Sequence, residues 1–261
     1  TKPVTLVSKF PYLTKLYCEA IASKMQHVQA YSLESFKMMC DSHETIYDQL
    51  TALKYYFHTS SSSLFDMMQE MSKFKKLKYA KLYFDACGIE ASSTMIQPIE
   101  EHEKTIHLNQ LFKHATHIRL LLPPIHSCRL DFSNLNKITK LAVVLGYSIE
   151  NVNFNKQLFI HRLRTLIQET LKLPHVQELT LGAARQDRDA VSKDEFKYTP
   201  LDLHTIMSST KCSNTIKALK ISGWPLYHED CNQILKYAPM LKQFDASLLC
   251  SDKEEQGEGD A

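Results

Sequence analysis

Leu173-Pro174-His175-Val176-Gln177-Glu178-Leu179-Thr180-Leu181 is the stretch on which the fold turns. Pro174 cannot continue a helix and biases Leu173 toward extended backbone. The closing Leu179 and Leu181 alternate with polar residues, as in a half-buried strand. The same order of types (apolar, Pro, x, apolar, x, x, apolar, x, apolar) returns in Phe10-Pro11-Tyr12-Leu13-Thr14-Lys15-Leu16-Tyr17-Cys18 and in Ala238-Pro239-Met240-Leu241-Lys242-Gln243-Phe244-Asp245-Ala246. Self-similar phrases at distant places are the signature of a repeat architecture.

Without the proline, the core apolar-x-x-apolar-x-apolar recurs more weakly. The copies are Val28, Tyr31, Leu33; Leu50, Leu53, Tyr55; Tyr79, Leu82, Phe84; Ala115, Ile118, Leu120; Ile138, Leu141, Val143; and Ile216, Leu219, Ile221. The middle residues fall at 16, 31, 53, 82, 118, 141, 179, 219 and 244, and only four of the eight spacings lie in the window of about 20 to 29 residues usual for leucine-rich repeats. The array is irregular. Gly88, Gly146, Gly182 and Gly223 each follow an expected strand within four residues, where the chain must turn.

Between the strands the period changes. Leu64, Met67, Met68, Met71 and Phe74, then Phe159, Leu163, Leu166, Ile167 and Leu171, follow helical spacing. Ser60 to Ser63 offer an N-cap to the first. Two shorter helices are read from Leu108, Leu111, Phe112 and from Cys231, Ile234, Leu235, Ala238, the latter ended by Pro239. Alternating strand and helix implies right-handed connections and a parallel sheet. With strands of about three residues the expected fold is α/β, an irregular solenoid over residues 1–250 with parallel strands on the concave face and helices outside. An ordinary doubly wound α/β domain is the alternative.

The phrase Leu173 to Leu181, preceded by the helical stretch Phe159 to Leu171, resembles the irregular leucine-rich repeats of F-box proteins, in which a helix ends at a Pro and runs into L-x-x-L-x-L. The usual Asn or Cys three residues beyond the last Leu is met only by Cys87, a departure from the regular pattern. The resemblance implies that the repeats hold a substrate protein while an F-box docks on a ubiquitin ligase through a Skp adaptor and a cullin. No F-box is visible; the first repeat begins by Phe10, so that module is expected before residue 1, the chain being a fragment of something longer. A leucine-rich-repeat scaffold unrelated to ubiquitination is the other reading of the same resemblance.

In a horseshoe, the residues flanking the middle apolar position point to the concave surface, because alternate strand residues face opposite ways. They are Lys15 and Tyr17, Ala30 and Ser32, Ala52 and Lys54, Lys81 and Tyr83, His117 and Arg119, Lys140 and Ala142, Glu178 and Thr180, Ala218 and Lys220, Gln243 and Asp245. Basic residues outnumber the two acidic ones on this face of a chain whose net charge is only +2. Lys15, Tyr17, Lys54, Lys81, Tyr83, Arg119, Lys140 and Lys220 are therefore the candidate partner-binding residues, suited to an acidic or phosphorylated protein segment, with Arg119 able to pair bidentately. A solvated strand face kept soluble by lysine is the plainer account of the same residues.

Composition excludes several classes. The 261 residues are 44% apolar and 23% charged, with 31 basic against 29 acidic residues, so gross charge does not point to nucleic acid. Six glycines include no G-x-G-x-x-G and no Walker loop. No apolar run approaches the roughly 18 residues that span a bilayer, and the first twelve residues lack a signal-peptide block. Seven scattered cysteines without C-x-x-C argue for a reducing compartment, cytoplasm or nucleus.

Chemistry has few footholds. His102, His107, His114, His117 and His126 cluster, and His114 with His117 could share a helical face, but no H-E-x-x-H accompanies them. Cysteine with a nearby histidine lacks an elbow or an acid partner. The run Lys73, Lys75, Lys76, Lys78, Lys81 suits a helix C-terminus as well as phosphates. The chain is read as non-enzymatic, without cofactor or metal; an α/β enzyme with an unlocated site is the competing class, and nucleic acid on the basic strip a third. Residues 251–261, with five acidic residues, are expected to form a disordered tail, and Arg185 to Lys197 an exposed loop.

Overall fold

Eight parallel strands lie side by side in the order of the chain: β1 (Lys15–Tyr17), β2 (Ala52–His58), β3 (Tyr79–Asp85), β5 (His117–Leu122), β7 (Lys140–Tyr147), β8 (Glu178–Arg185), β9 (Ala218–Leu226) and β10 (Gln243–Leu248). The sheet is open. Two further strands, β4 (Lys104–His107) and β6 (Cys128–Asp131), form a separate parallel pair. The helices are α1 (Leu33–Asp41), α2 (Ile46–Gln49), α3 (Leu108–Leu111), α4 (Lys156–Leu171) and α5 (His228–Tyr237). This computed structural model describes residues 15–17, 33–41, 45–58, 66, 68–85, 104–122, 128–147, 156–185, 205–206 and 215–248. Among them no helix is long and apolar enough to cross a membrane.

One backbone device recurs along the array. The carbonyl of the residue just before β2, β3, β5, β7, β8 and β9 accepts two N–H bonds from the next unit: Thr51 from Lys78 and Tyr79, Lys78 from Thr116 and His117, Thr116 from Thr139 and Lys140, Thr139 from Gln177 and Glu178, Gln177 from Lys217 and Ala218, and Lys217 from Lys242 and Gln243. These carbonyls sit one residue after the first apolar position of the phrase, and that residue is buried in Leu50, Leu77, Ala115, Ile138, Val176 and Ile216. Burying a backbone turn requires partners for its polar groups, and the doubled acceptor supplies them at each step.

The core follows from the two periods. Leu53, Ala80, Ile118, Leu141, Leu179 and Leu219 form one buried row across the sheet, and Tyr55, Leu82, Leu120, Val143, Leu181 and Ile221 the next. Phe36 and Cys40 of α1, Phe159, Leu163 and Ile167 of α4 and Ile234 of α5 join the same cluster, so the helices pack on that face of the sheet. Pro174 follows the end of α4 and Pro239 the end of α5, as the phrase requires. Asp230, in the first turn of α5, accepts the Tyr227 N–H at 3.1 Å and caps the helix.

Several expectations change. Leu33 begins α1 instead of closing a strand, because Phe36 and Cys40 follow at helical spacing and are fully buried; Val28, Ala30, Tyr31 and Ser32 lie outside the described residues. Strands expected at about three residues run to seven, eight and nine in β2, β7 and β9. In β3 the phrase is Leu77, Ala80, Leu82, since Ala80 pairs with Leu53 and Ile118. Leu235, read as a core position, is 57% exposed.

The glycines serve close approach more than turning. Gly146, Gly182 and Gly223 lie within strands, and Gly88 is outside the described residues. A Cβ on Gly182 would collide with Ser222, and one on Gly223, whose φ is +69°, would overlap the Ala183 carbonyl. The Phe10 end of the first phrase, the segment after Arg185 and the acidic tail are also outside the described residues.

Candidate binding face

Strand residues out of phase with the core reach the opposite face, and parallel register gathers them into rows. Tyr17, Lys54, Lys81, Arg119, Ala142, Thr180, Lys220 and Asp245 form one row. Lys15, Ala52, Tyr79, His117, Lys140, Glu178, Ala218 and Gln243 form the row beneath it. β5 shows the division plainly: Ile118, Leu120 and Leu122 are buried while Arg119 is exposed and His117 and Leu121 half-buried.

Charge divides along the sheet. Toward β10 the cations are neutralised on the face itself: Lys140 pairs with Glu178 at 2.6 Å, and Lys220 with Asp245. Toward β1 the two rows hold Lys15, Lys54, Lys81 and Arg119 and no acidic residue. Neighbouring strands stand about 4.8 Å apart, so Lys81 sits within one Debye length, roughly 8 Å at physiological salt, of both Lys54 and Arg119. Their fields add on this half of the face.

Of the candidate residues, then, four are brought together. Lys15 and Arg119 are exposed, Lys54 and Lys81 half-buried, and the Lys81 ammonium lies 5.1 Å from the centre of the Tyr83 ring. Tyr83 stands one row higher beside Leu121 and Val144, giving the basic row an apolar border. Tyr17 closes β1, and its side chain is outside the described residues. Lys140 and Lys220 belong to the other half.

Beside the basic rows, at the N-terminal ends of the strands, lies an open depression of about 790 Å³ bounded by Lys15, Ala52, Lys54, Lys78, Tyr79, Thr116 and His117. His117 Nδ1 is 2.8 Å from the Thr116 hydroxyl, and the Tyr79 and His117 rings are 6.4 Å apart. Sequence reading left Thr116 unmarked, took Tyr79 as an apolar position of the β3 phrase, and raised Lys78 only within the lysine run. The available signal was Leu77, whose apolar side chain opens the β3 phrase, but Ala80 is small enough to hide the register.

A second polar cluster lies on the helical side and is structural. Glu70 is 3% exposed; its carboxylate accepts the Tyr47 hydroxyl and pairs with Lys73 at 2.8 Å. Burial, reinforced by the hydrogen bond to Glu70, raises the Tyr47 phenol above its ordinary range, and burial pushes the neighbouring Cys40 thiol up to about 12. A thiol so held stays protonated and inert. Within the lysine run, Lys73 and Lys75 are occupied by Glu70 and Asp48. Tyr47→Phe should cost about 1–3 kcal/mol by leaving the buried carboxylate short of a donor. Urea unfolding checks this, and an unchanged midpoint would contradict it.

His107 and His117 have separate partners. His107 Nδ1 is 2.7 Å from Asp131 across β4 and β6. Burial raises the Asp131 carboxyl, but hydrogen bonds from Ser133 and His107 outweigh it and the net shift is downward. His114 is exposed, and His102 and His126 lie outside the described residues. Among the described residues no three His, Cys, Asp or Glu side chains are grouped to hold a metal ion. Comparison with family models, curated proteins and solved structures finds no match to this chain.

Proposed function

We propose that the chain is a protein-interaction module: a leucine-rich-repeat-type solenoid whose strand face takes an acidic segment of a partner protein. The observation that carries this reading is the row Lys54, Lys81, Arg119, three cations on adjacent strands with no acid among the row neighbours of β1, β2, β3 and β5. Strand order supports the solenoid. It never reverses along the sheet, and the repeated carbonyl device makes each unit equivalent to the next. The parallel pair β4 and β6 repeats the same stacking outside the main sheet.

The same topology weighs against the enzyme reading. Open α/β enzymes place ligands outside the carboxyl ends of strands, where strand order reverses. Here no reversal exists among the described strands, and the depression lies at the amino ends.

Within this module the partner is the substrate of an F-box-type ubiquitin ligase component. Its support is the sequence resemblance together with the helix, proline, strand succession from α4 into β8. The test is affinity purification of the full-length protein from its own cells with mass spectrometry. A Skp adaptor and a cullin are expected alongside the partner. A partner recovered without either would remove the ligase assignment and leave a repeat scaffold.

A further inference from the structure

We infer that the outer edge of β10 is a self-association surface, on which a second copy of this chain pairs its own β10 antiparallel about a two-fold axis at Phe244. This goes beyond the reading of the strand face and does not depend on it.

The last unit leaves open what the earlier ones close. Lys242 occupies the position that Thr51, Lys78, Thr116, Thr139, Gln177 and Lys217 hold in their units, and among the described residues its carbonyl receives no N–H from a following unit. Phe244 and Ala246 extend the two core rows beyond Leu219 and Ile221. Both are only half-buried, whereas the row residues of β2, β3, β5, β7, β8 and β9 are buried. Leu235 of α5 and Met240, between α5 and β10, are two of the three exposed large apolar side chains among the described residues. An edge strand with bare apolar surface beside it is a template for another chain.

Backbone geometry selects the pairing. The Gln243 N–H donates to the Lys217 carbonyl beside β9, and in a parallel ladder alternate residues bond the same neighbour. Gln243 and Asp245 therefore face β9, while Phe244 and Ala246 turn their N–H and C=O groups outward. An antiparallel partner exchanges both bonds between residues of the outward set. An axis at Phe244 pairs it with its counterpart over the core face and sets Lys242 opposite Ala246 and Gln243 opposite Asp245 of the second copy. Asp245, held by Lys220 in its own chain, then meets an uncharged amide. An axis at Asp245 would oppose two like charges, which is destabilising; one at Gln243 would set Phe244 against the exposed Lys242. Parallel stacking of β10 on a second copy's β1 is disfavoured, because Leu16 is already buried there. The acidic stretch 251–261 has no large apolar residue to lay over Phe244. The two-fold contact is isologous and closes at two chains.

The test is sedimentation equilibrium of the purified whole chain across the micromolar range. A reversible monomer–dimer equilibrium is expected, rising to twice the 30.1 kDa of one chain and no further. Gln243 is exposed and lies on the face opposite the core, so its variants alter the pairing and spare the fold. Two contacts between Gln243 and Asp245 cross the axis. Gln243→Lys should therefore tighten the dimer, and Gln243→Glu weaken it, by about tenfold each. A monomer at every concentration, or a dimer that the two variants leave unchanged or shift in the same direction, would overturn the inference. Masses that grow past the dimer as concentration rises would overturn it in favour of head-to-tail stacking.

Discussion

Gly223→Val leaves little folded protein at physiological temperature. At φ +69° a β-branched residue is strained, and its Cβ would overlap the Ala183 carbonyl of the adjacent strand. Backbone strain of about 1–3 kcal/mol adds to overpacking of about 1–3 kcal/mol, and together they approach the whole stability of a marginal domain, about 5–15 kcal/mol. Gly182→Ala acts in the same place through Ser222 and is milder, because part of the obstruction is a serine side chain. Thermal unfolding followed by circular dichroism measures both. An unchanged midpoint for Gly223→Val would mean that β8 and β9 do not approach as described.

Lys54→Glu, Lys81→Glu and Arg119→Glu together abolish partner binding while the unfolding midpoint stays within a few degrees. The three side chains lie on one row of adjacent strands, so reversal changes the local charge by six in a single patch. Like charges brought together across an interface cost several kcal/mol, which is at least a hundredfold in affinity at about 1.4 kcal/mol per decade. Their positions on the face opposite the core keep the fold out of the comparison. The matched control is Lys140→Glu with Lys220→Glu, on the half already neutralised by Glu178 and Asp245, and its effect on binding should be several-fold smaller. Equal losses from both sets would mean that net charge, rather than this half of the face, holds the partner.

Much of the sheet was legible because its signal is local. Leu50, Leu53 and Tyr55, like Ile138, Leu141 and Val143, declare a buried strand through spacing alone, and all six are buried. Leu33 misled because one apolar residue fits either period, and Phe36 and Cys40, which decide for helix, lie beyond the phrase. Ala80 misled in the other direction: its side chain carries too little hydrophobic signal to mark the register, so Leu82 took its place and Tyr79 was read as an apolar position of the phrase instead of a residue of the opposite face. What no spacing could disclose is pairing between units. The neutralisation of Lys220 by Asp245 joins residues 25 apart and that of Lys140 by Glu178 residues 38 apart. Both depend on the register of neighbouring strands. Sequence therefore lists the charges of this face without their pairing; in the structure, the rows of β1, β2, β3 and β5 carry cations with no acidic row neighbour, and Lys140 and Lys220 are paired. Glu70 and Tyr47 meet from separate elements and carried no pattern at all.

The most direct test of the claim that this half-face holds the partner is carbodiimide cross-linking of the purified complex, with peptide mapping of the lysines joined to partner carboxylates. The account predicts links at Lys15, Lys54 and Lys81 on the strand face, and few at Lys156, Lys172 or Lys236 on the helical side. Links confined to the helical lysines, with the strand-face lysines unmodified by the partner, would contradict it.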